Sequence, residues 1–154
     1  MGFLPPSTNA DYRGSRFSAW FLVLGAALTI VPGLIHSFLP DGGMTSIAGL
    51  HPGAATATVL GVFRWEGATQ IALGLAMLVV AWRYRTLTPL FLALLALQTG
   101  LSALQVWVLA PPPAGGHRPP ENFGALVIFP LAALFCALAV RSPRVRLATR
   151  NIMS

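Results

Sequence analysis

Charge is what this sequence has least of. Asp, Glu, Lys and Arg make up 9% of its 154 residues, against roughly 25% in an ordinary soluble domain. With 55% of the residues hydrophobic, that shortage excludes both a solvated globular domain and a disordered chain. Lysine is absent altogether: the ten basic residues are all arginine, set against four acids, for a formal net charge of +6. The single cysteine, Cys136, excludes an internal disulfide scaffold. A phosphate-binding glycine loop, a CxxC or CxxCH pair and a Gly-x-Ser-x-Gly elbow are missing too. No histidine lies deep in an apolar run, which argues against a haem held between two helices at mid-bilayer. The arginines flank apolar runs, so the partner they point to is a membrane surface and not nucleic acid.

Four long apolar runs are what the sequence does have: residues 17–39, 57–82, 87–109 and 123–140. At about 1.5 Å per residue they reach roughly 27–39 Å, enough for a hydrocarbon core of about 30 Å. No alternation of period two appears, and in lipid each backbone polar group must be satisfied within its own segment. The runs therefore predict an all-α integral membrane protein, a four-helix antiparallel bundle in one domain spanning 1–154. The first run is too long for a signal peptide and lacks a small-x-small cleavage site after Leu39, so it is expected to stay as a span.

Arginine placement sets the expected orientation. Arg13 and Arg16 precede the first run, Arg83 and Arg85 separate the second from the third, and Arg141, Arg144, Arg146 and Arg150 follow the fourth. All eight fall on one side, which puts both termini in the cytoplasm of a bacterial cell, with the chain in its inner membrane. Trp20 and Trp82 then mark the inner interface and Trp65 and Trp107 the outer one. The basic tail from Arg141 to Arg150 is expected to meet anionic lipids. The short link between the second and third runs predicts that those two helices are packed neighbours.

Polar residues inside the runs are the candidate site, because burying them in lipid is costly. The second run carries Arg64, Glu66 and Gln70; the third carries Gln98, Ser102 and Gln105. Glu66 and Gln70 lie about 40° apart on a helix, with Gly67 and Gly74 on or beside their face. Gln98, Ser102 and Gln105 also cluster on one face, with Ser102 about 40° from Gln98. Two such stripes on neighbouring helices are expected to face each other, with Glu66 level with Gln98. Such Gln and Ser residues also serve simply as interhelical glue. Arg64 points about 160° away from Glu66 and suits either an interfacial anchor or a clamp for a ligand anion. His36, near the outer end of the first run, is the histidine expected to join the cluster. His36, His51 and His117 match no compact ligand spacing, so no metal site is expected.

Three stretches carry a family resemblance. They are Gly33-Leu34 through Pro40, then Ile47-Ala48-Gly49-Leu50, and above all Phe63-Arg64-Trp65-Glu66-Gly67 leading into Ala72-Leu73-Gly74-Leu75. The pattern resembles the DoxX-like small four-helix bacterial membrane proteins, in which an Arg followed by a small-residue helix recurs in the second span. Glu66 departs from it, standing where that group often has a small residue. The resemblance implies an integral membrane protein associated with quinone, lipid or redox partners.

Three functions fit these residues. The first is a non-catalytic accessory subunit of a larger membrane complex, or a module holding a lipid-like or quinone-like molecule in the outer half of the bundle, with no other cofactor. The second is an intramembrane enzyme on a quinone, isoprenoid or sterol-like substrate, with Glu66 as acid or base and Arg64 or His36 as electrophile. The third is a small homodimeric transporter with Glu66 as proton-coupling site. The candidate ligand-binding residues are His36, Arg64, Glu66, Gln70, Gln98, Ser102 and Gln105.

Overall fold

The first long helix begins where the sequence supplies a cap. The Ser15 hydroxyl accepts from the Phe17 amide at 3.2 Å, and α1 then runs Arg16–Phe38. It stops at Leu39, which precedes Pro40 and is extended (φ −67°, ψ 141°), the conformation that a following proline favours. In the computed structural model, which describes residues 3–112 and 118–140, three further helices follow. They are α2 (Thr56–Arg83), α3 (Thr88–Leu104, continued by a π-helical turn Gln105–Leu109) and α4 (Pro120–Val140). Pro89 and Pro120 stand in first turns, where a missing N–H removes no helical bond. That start places α4 three residues ahead of its apolar run and brings Glu121 into its first turn.

Four helical stretches are long and apolar enough to cross a membrane: Arg16–Phe38, Gly53–Arg83, Arg85–Leu109 and Pro120–Val140. Each also leaves large apolar side chains uncovered, among them Leu24, Val31, Leu75, Leu97 and Val127. In water such a surface would associate; against lipid tails it is matched.

The helices pair α1 with α2 and α3 with α4, whereas α2 and α3 touch little beyond the turn that joins them. This corrects the expectation that consecutive α2 and α3 pack together. Glycine is the reason. A Cβ built on Gly67 would lie 2.8 Å from the Gly33 carbonyl oxygen, and one on Gly33 would lie 3.0 Å from the Gly67 oxygen. Gly74 meets Ile30 and Ala26 in the same way, and Gly25 meets Met77. Small residues let two backbones approach closely, and in lipid that van der Waals contact is what holds helices together. The small-residue face of α2 is thus occupied by α1.

All four helices close together at one end. There Phe21 stacks on Phe135 with centroids 4.4 Å apart, Ser18 donates to the Phe135 carbonyl at 2.8 Å, and Leu22, Met77, Leu92 and Ala132 are buried. The segment ahead of α1 clasps this end. Ser7 and Thr8 both donate to the Arg83 carbonyl, at 2.9 and 3.1 Å. Asn9 donates to the Trp82 carbonyl at 2.6 Å and accepts from the Arg85 amide at 3.2 Å. These bonds satisfy carbonyls that a helix end leaves without internal partners.

Candidate functional site

Away from the closed end the two helix pairs part, leaving a cavity of about 420 Å³, within the range of small-molecule sites. Its walls are apolar along Leu28, Ile35, Phe63, Leu95 and Ile128, with polar side chains from all four helices: His36, Gln70, Gln98, Thr99, Ser102, Glu121 and Asn122. Two of the stripes expected to meet helix to helix therefore share a cavity instead. Gln70 looks into it from the α1–α2 pair, while Gln98 and Ser102 do so from the α3–α4 pair.

Gln70 is 9% exposed. Its Nε2 donates to Glu66 Oε1 at 3.2 Å, and since a carboxylate oxygen accepts, the amide nitrogen is the atom that must face it. That leaves Gln70 Oε1 buried without a partner among the described residues. A buried acceptor in this state costs about 1–3 kcal/mol unless something donates to it. Glu66 is half-buried and lies behind Gln70, outside the cavity lining.

His36 is held on two sides. Its Nδ1 lies 2.7 Å from the Gly42 carbonyl oxygen, and its ring meets Phe63 edge-on at 4.9 Å. A carbonyl can only accept, so Nδ1 carries the proton and donates to it. Glu121, in the first turn of α4, lies within electrostatic range of both His36 and Glu66. The polar part of the cavity thus offers an acceptor at Gln70 Oε1 and side chains that can donate as well as accept at Gln98, Ser102 and Asn122.

The loop between α1 and α2 roofs the cavity with Gly43, Ile47 and Ala48, and Asp41 folds it. Its Oδ1 accepts from the Gly43 amide at 3.0 Å, and its Oδ2 from the amides of Thr45 and Ser46 at 3.1 and 2.7 Å. Gly43 has φ +76°, and a Cβ there would also lie 2.8 Å from Ile35 Cγ2, so glycine is required. The amide bonds from Ser46 and Gly43, the largest influences, bring the Asp41 carboxyl down from 3.8 to about 2. Because the folded value is the lower one, Asp41 stabilises the loop fully above the ordinary value of 3.8 and ceases to do so as pH falls through about 2. The Ser46 amide resonance is expected to titrate with a midpoint near 2. A midpoint near 3.8 would mean that the amide bonds to Asp41 do not persist in solution.

Arg64 and Gln105, both expected at the site, are exposed and lie outside the lining. Gln105 belongs to the π-helical turn, where its carbonyl accepts from the Ala110 amide at 2.8 Å. Beside that turn, Trp107 donates to the Asn122 carbonyl at 3.0 Å and lies under the Arg118 guanidinium at 3.9 Å. His51 is exposed on the loop. His117 and the basic tail at Arg141, Arg144, Arg146 and Arg150 lie outside the described residues. Sequence reasoning missed Glu121, Thr99, Asn122 and Phe63. A signal existed for Glu121: a proline followed by an acid opens a helix, and the acid favours its N-terminus. Comparison of the chain with protein-family models, curated proteins and solved structures finds no match.

Proposed function

We propose that this chain is a four-span antiparallel bundle of a bacterial inner membrane, of DoxX-like type, that holds an amphiphilic molecule in the cavity between its helix pairs. The observation that carries the reading is Gln70 Oε1, buried without a partner among the described residues on a side chain that lines the cavity. A ligand that supplies a donor there removes the cost of that acceptor. The same logic sets the ligand's polar end. Gln70 Oε1 accepts, so the head bears a hydroxyl or N–H group. A hydroquinone, a sterol-like alcohol or another lipid alcohol meets this. Binding is favoured over acid–base catalysis because the Glu66 carboxylate is engaged by Gln70 and does not line the cavity.

Under this reading the cavity opens in the outer half of the bundle and both termini face the cytoplasm, because Arg13, Arg16, Arg83 and Arg85 all sit at the closed end. Native mass spectrometry of the protein extracted in mild detergent is the test. One retained neutral amphiphile per chain is expected, exchangeable for an added long-chain alcohol but not for the matching methyl ether. A chain that is empty, or that takes up ether and alcohol equally, overturns the reading. Reporters fused after Ser154 and in the loop 39–55 should score opposite sides of the membrane.

A further inference from the structure

A second concavity, of about 720 Å³, lies at the opposite end of the molecule on the outer surface of the α1–α2 pair. Its rim carries three guanidinium groups, from Arg16 at the start of α1, Arg83 at the end of α2 and Arg85 in the turn that follows. Among the described residues no acid is part of its lining. Arg83 is committed to structure, since its Nε and Nη2 both donate to the Pro5 carbonyl, at 3.1 and 3.0 Å. Among the described residues Arg85 is bonded through Nε alone, donating to the Ala81 carbonyl at 3.1 Å, which leaves its two terminal nitrogens to the groove. Arg16 is exposed.

Below the rim the lining turns apolar. Along α1 it passes from Arg16 through Ala19 to Val23, a descent of about 10 Å at the helical rise, and Leu78 and Val79 line it from α2. Trp20 and Trp82, 71% and 83% exposed, flank the groove at the level where indole rings favour the lipid headgroup region. A cationic rim over an apolar floor running toward mid-membrane has the polarity profile of one phospholipid, and guanidinium matches phosphate in bidentate geometry.

We propose that this groove is a specific site for an anionic phospholipid, with the phosphate held by Arg16 and Arg85 and one acyl chain along Ala19, Val23 and Leu78. The site is separate from the cavity between the helix pairs and does not depend on that cavity's ligand. It uses rigid residues of the bundle itself and so adds to any attraction from the basic tail.

The test uses the full chain in phosphatidylcholine nanodiscs, with Trp65 and Trp107 replaced by Phe so that emission comes from Trp20 and Trp82. Acyl-brominated phosphatidylglycerol is expected to quench this emission more than brominated phosphatidylcholine at equal mole fraction. Arg16→Gln and Arg85→Gln should each lower that preference by on the order of fivefold. Equal quenching by the two lipids overturns the proposal, as does a preference that survives in the double variant. Relief of quenching by inorganic phosphate assigns the rim to a free anion and overturns the lipid. Because the comparison of lipids on the chain with native arginines is decisive by itself, a poorly folded arginine variant does not rescue the proposal.

Discussion

Gly67→Ala is expected to push α1 and α2 apart and to destabilise the protein by about 1–3 kcal/mol, the usual result of overpacking a close contact. The added methyl would lie 2.8 Å from the Gly33 carbonyl oxygen and 2.9 Å from His36 Cβ. The first is backbone and can yield only if the helices separate. The second belongs to a side chain of the cavity, so the same substitution displaces His36 from Gly42 and Phe63. Gly61→Ala is the matched control: it lies on the same helix, and a Cβ there meets nothing within 4 Å. Alanine's better helix propensity makes that change neutral or stabilising by up to about 1 kcal/mol. Thermal unfolding of both variants in one detergent separates a seam effect from a propensity effect. Equal melting temperatures would show that α1 and α2 do not meet at Gly67.

Gln70→Leu carries the largest expected effect on binding. Leucine approximates the volume of glutamine but brings no acceptor, so the ligand head loses its buried partner. Retention of a long-chain alcohol is expected to fall by on the order of tenfold, the equivalent of one hydrogen bond. The variant also strips Glu66 of the amide that donates to it, so lost retention alone could reflect a rearranged helix. Glu66→Gln separates the two. Its side-chain oxygen still accepts from Gln70, so both fold and retention should survive. Glu66→Leu removes the acceptor for the Gln70 amide and should destabilise by about 1–3 kcal/mol. If Glu66→Gln lost retention while folding normally, the charge at position 66 and not the Gln70 oxygen would govern binding, and the assignment of the head contact would be wrong.

The sequence made the helices legible because length and hydropathy are local properties: nothing beyond residues 17–39 is needed to see that α1 can cross a bilayer. Partner choice was not local. The link between α2 and α3 is short, which suggests neighbours, yet contact depth depends on which faces carry glycine. Gly33 on α1 answers Gly67 on α2, and Ala26 and Ile30 on α1 answer Gly74, a match visible only when two helices are read against each other. Gln70, Gln98, Ser102 and His36 were identified because polar groups in an apolar run stand out. Glu121 did not stand out, since at the edge of a run an acid looks like part of a loop. Arg64 and Gln105 were chosen by the same criterion of polarity within a run. Helix rotation in the folded chain, which that criterion does not contain, puts both outside the cavity lining.

The clasp formed by Ser7, Thr8 and Asn9 has a consequence for biogenesis. These residues leave the ribosome ahead of their partners: the carbonyls of Trp82 and Arg83 that they bind, and the Arg85 amide, are made more than seventy residues later. The segment Ser7 to Asn9 must therefore wait at the membrane surface until α2 has been inserted and its last turn has formed. Only then can it fasten, and its fastening records that α1 and α2 have reached their final register. A bulky tag placed directly before Pro5 would interfere with that late step and leave the insertion of each helix untouched.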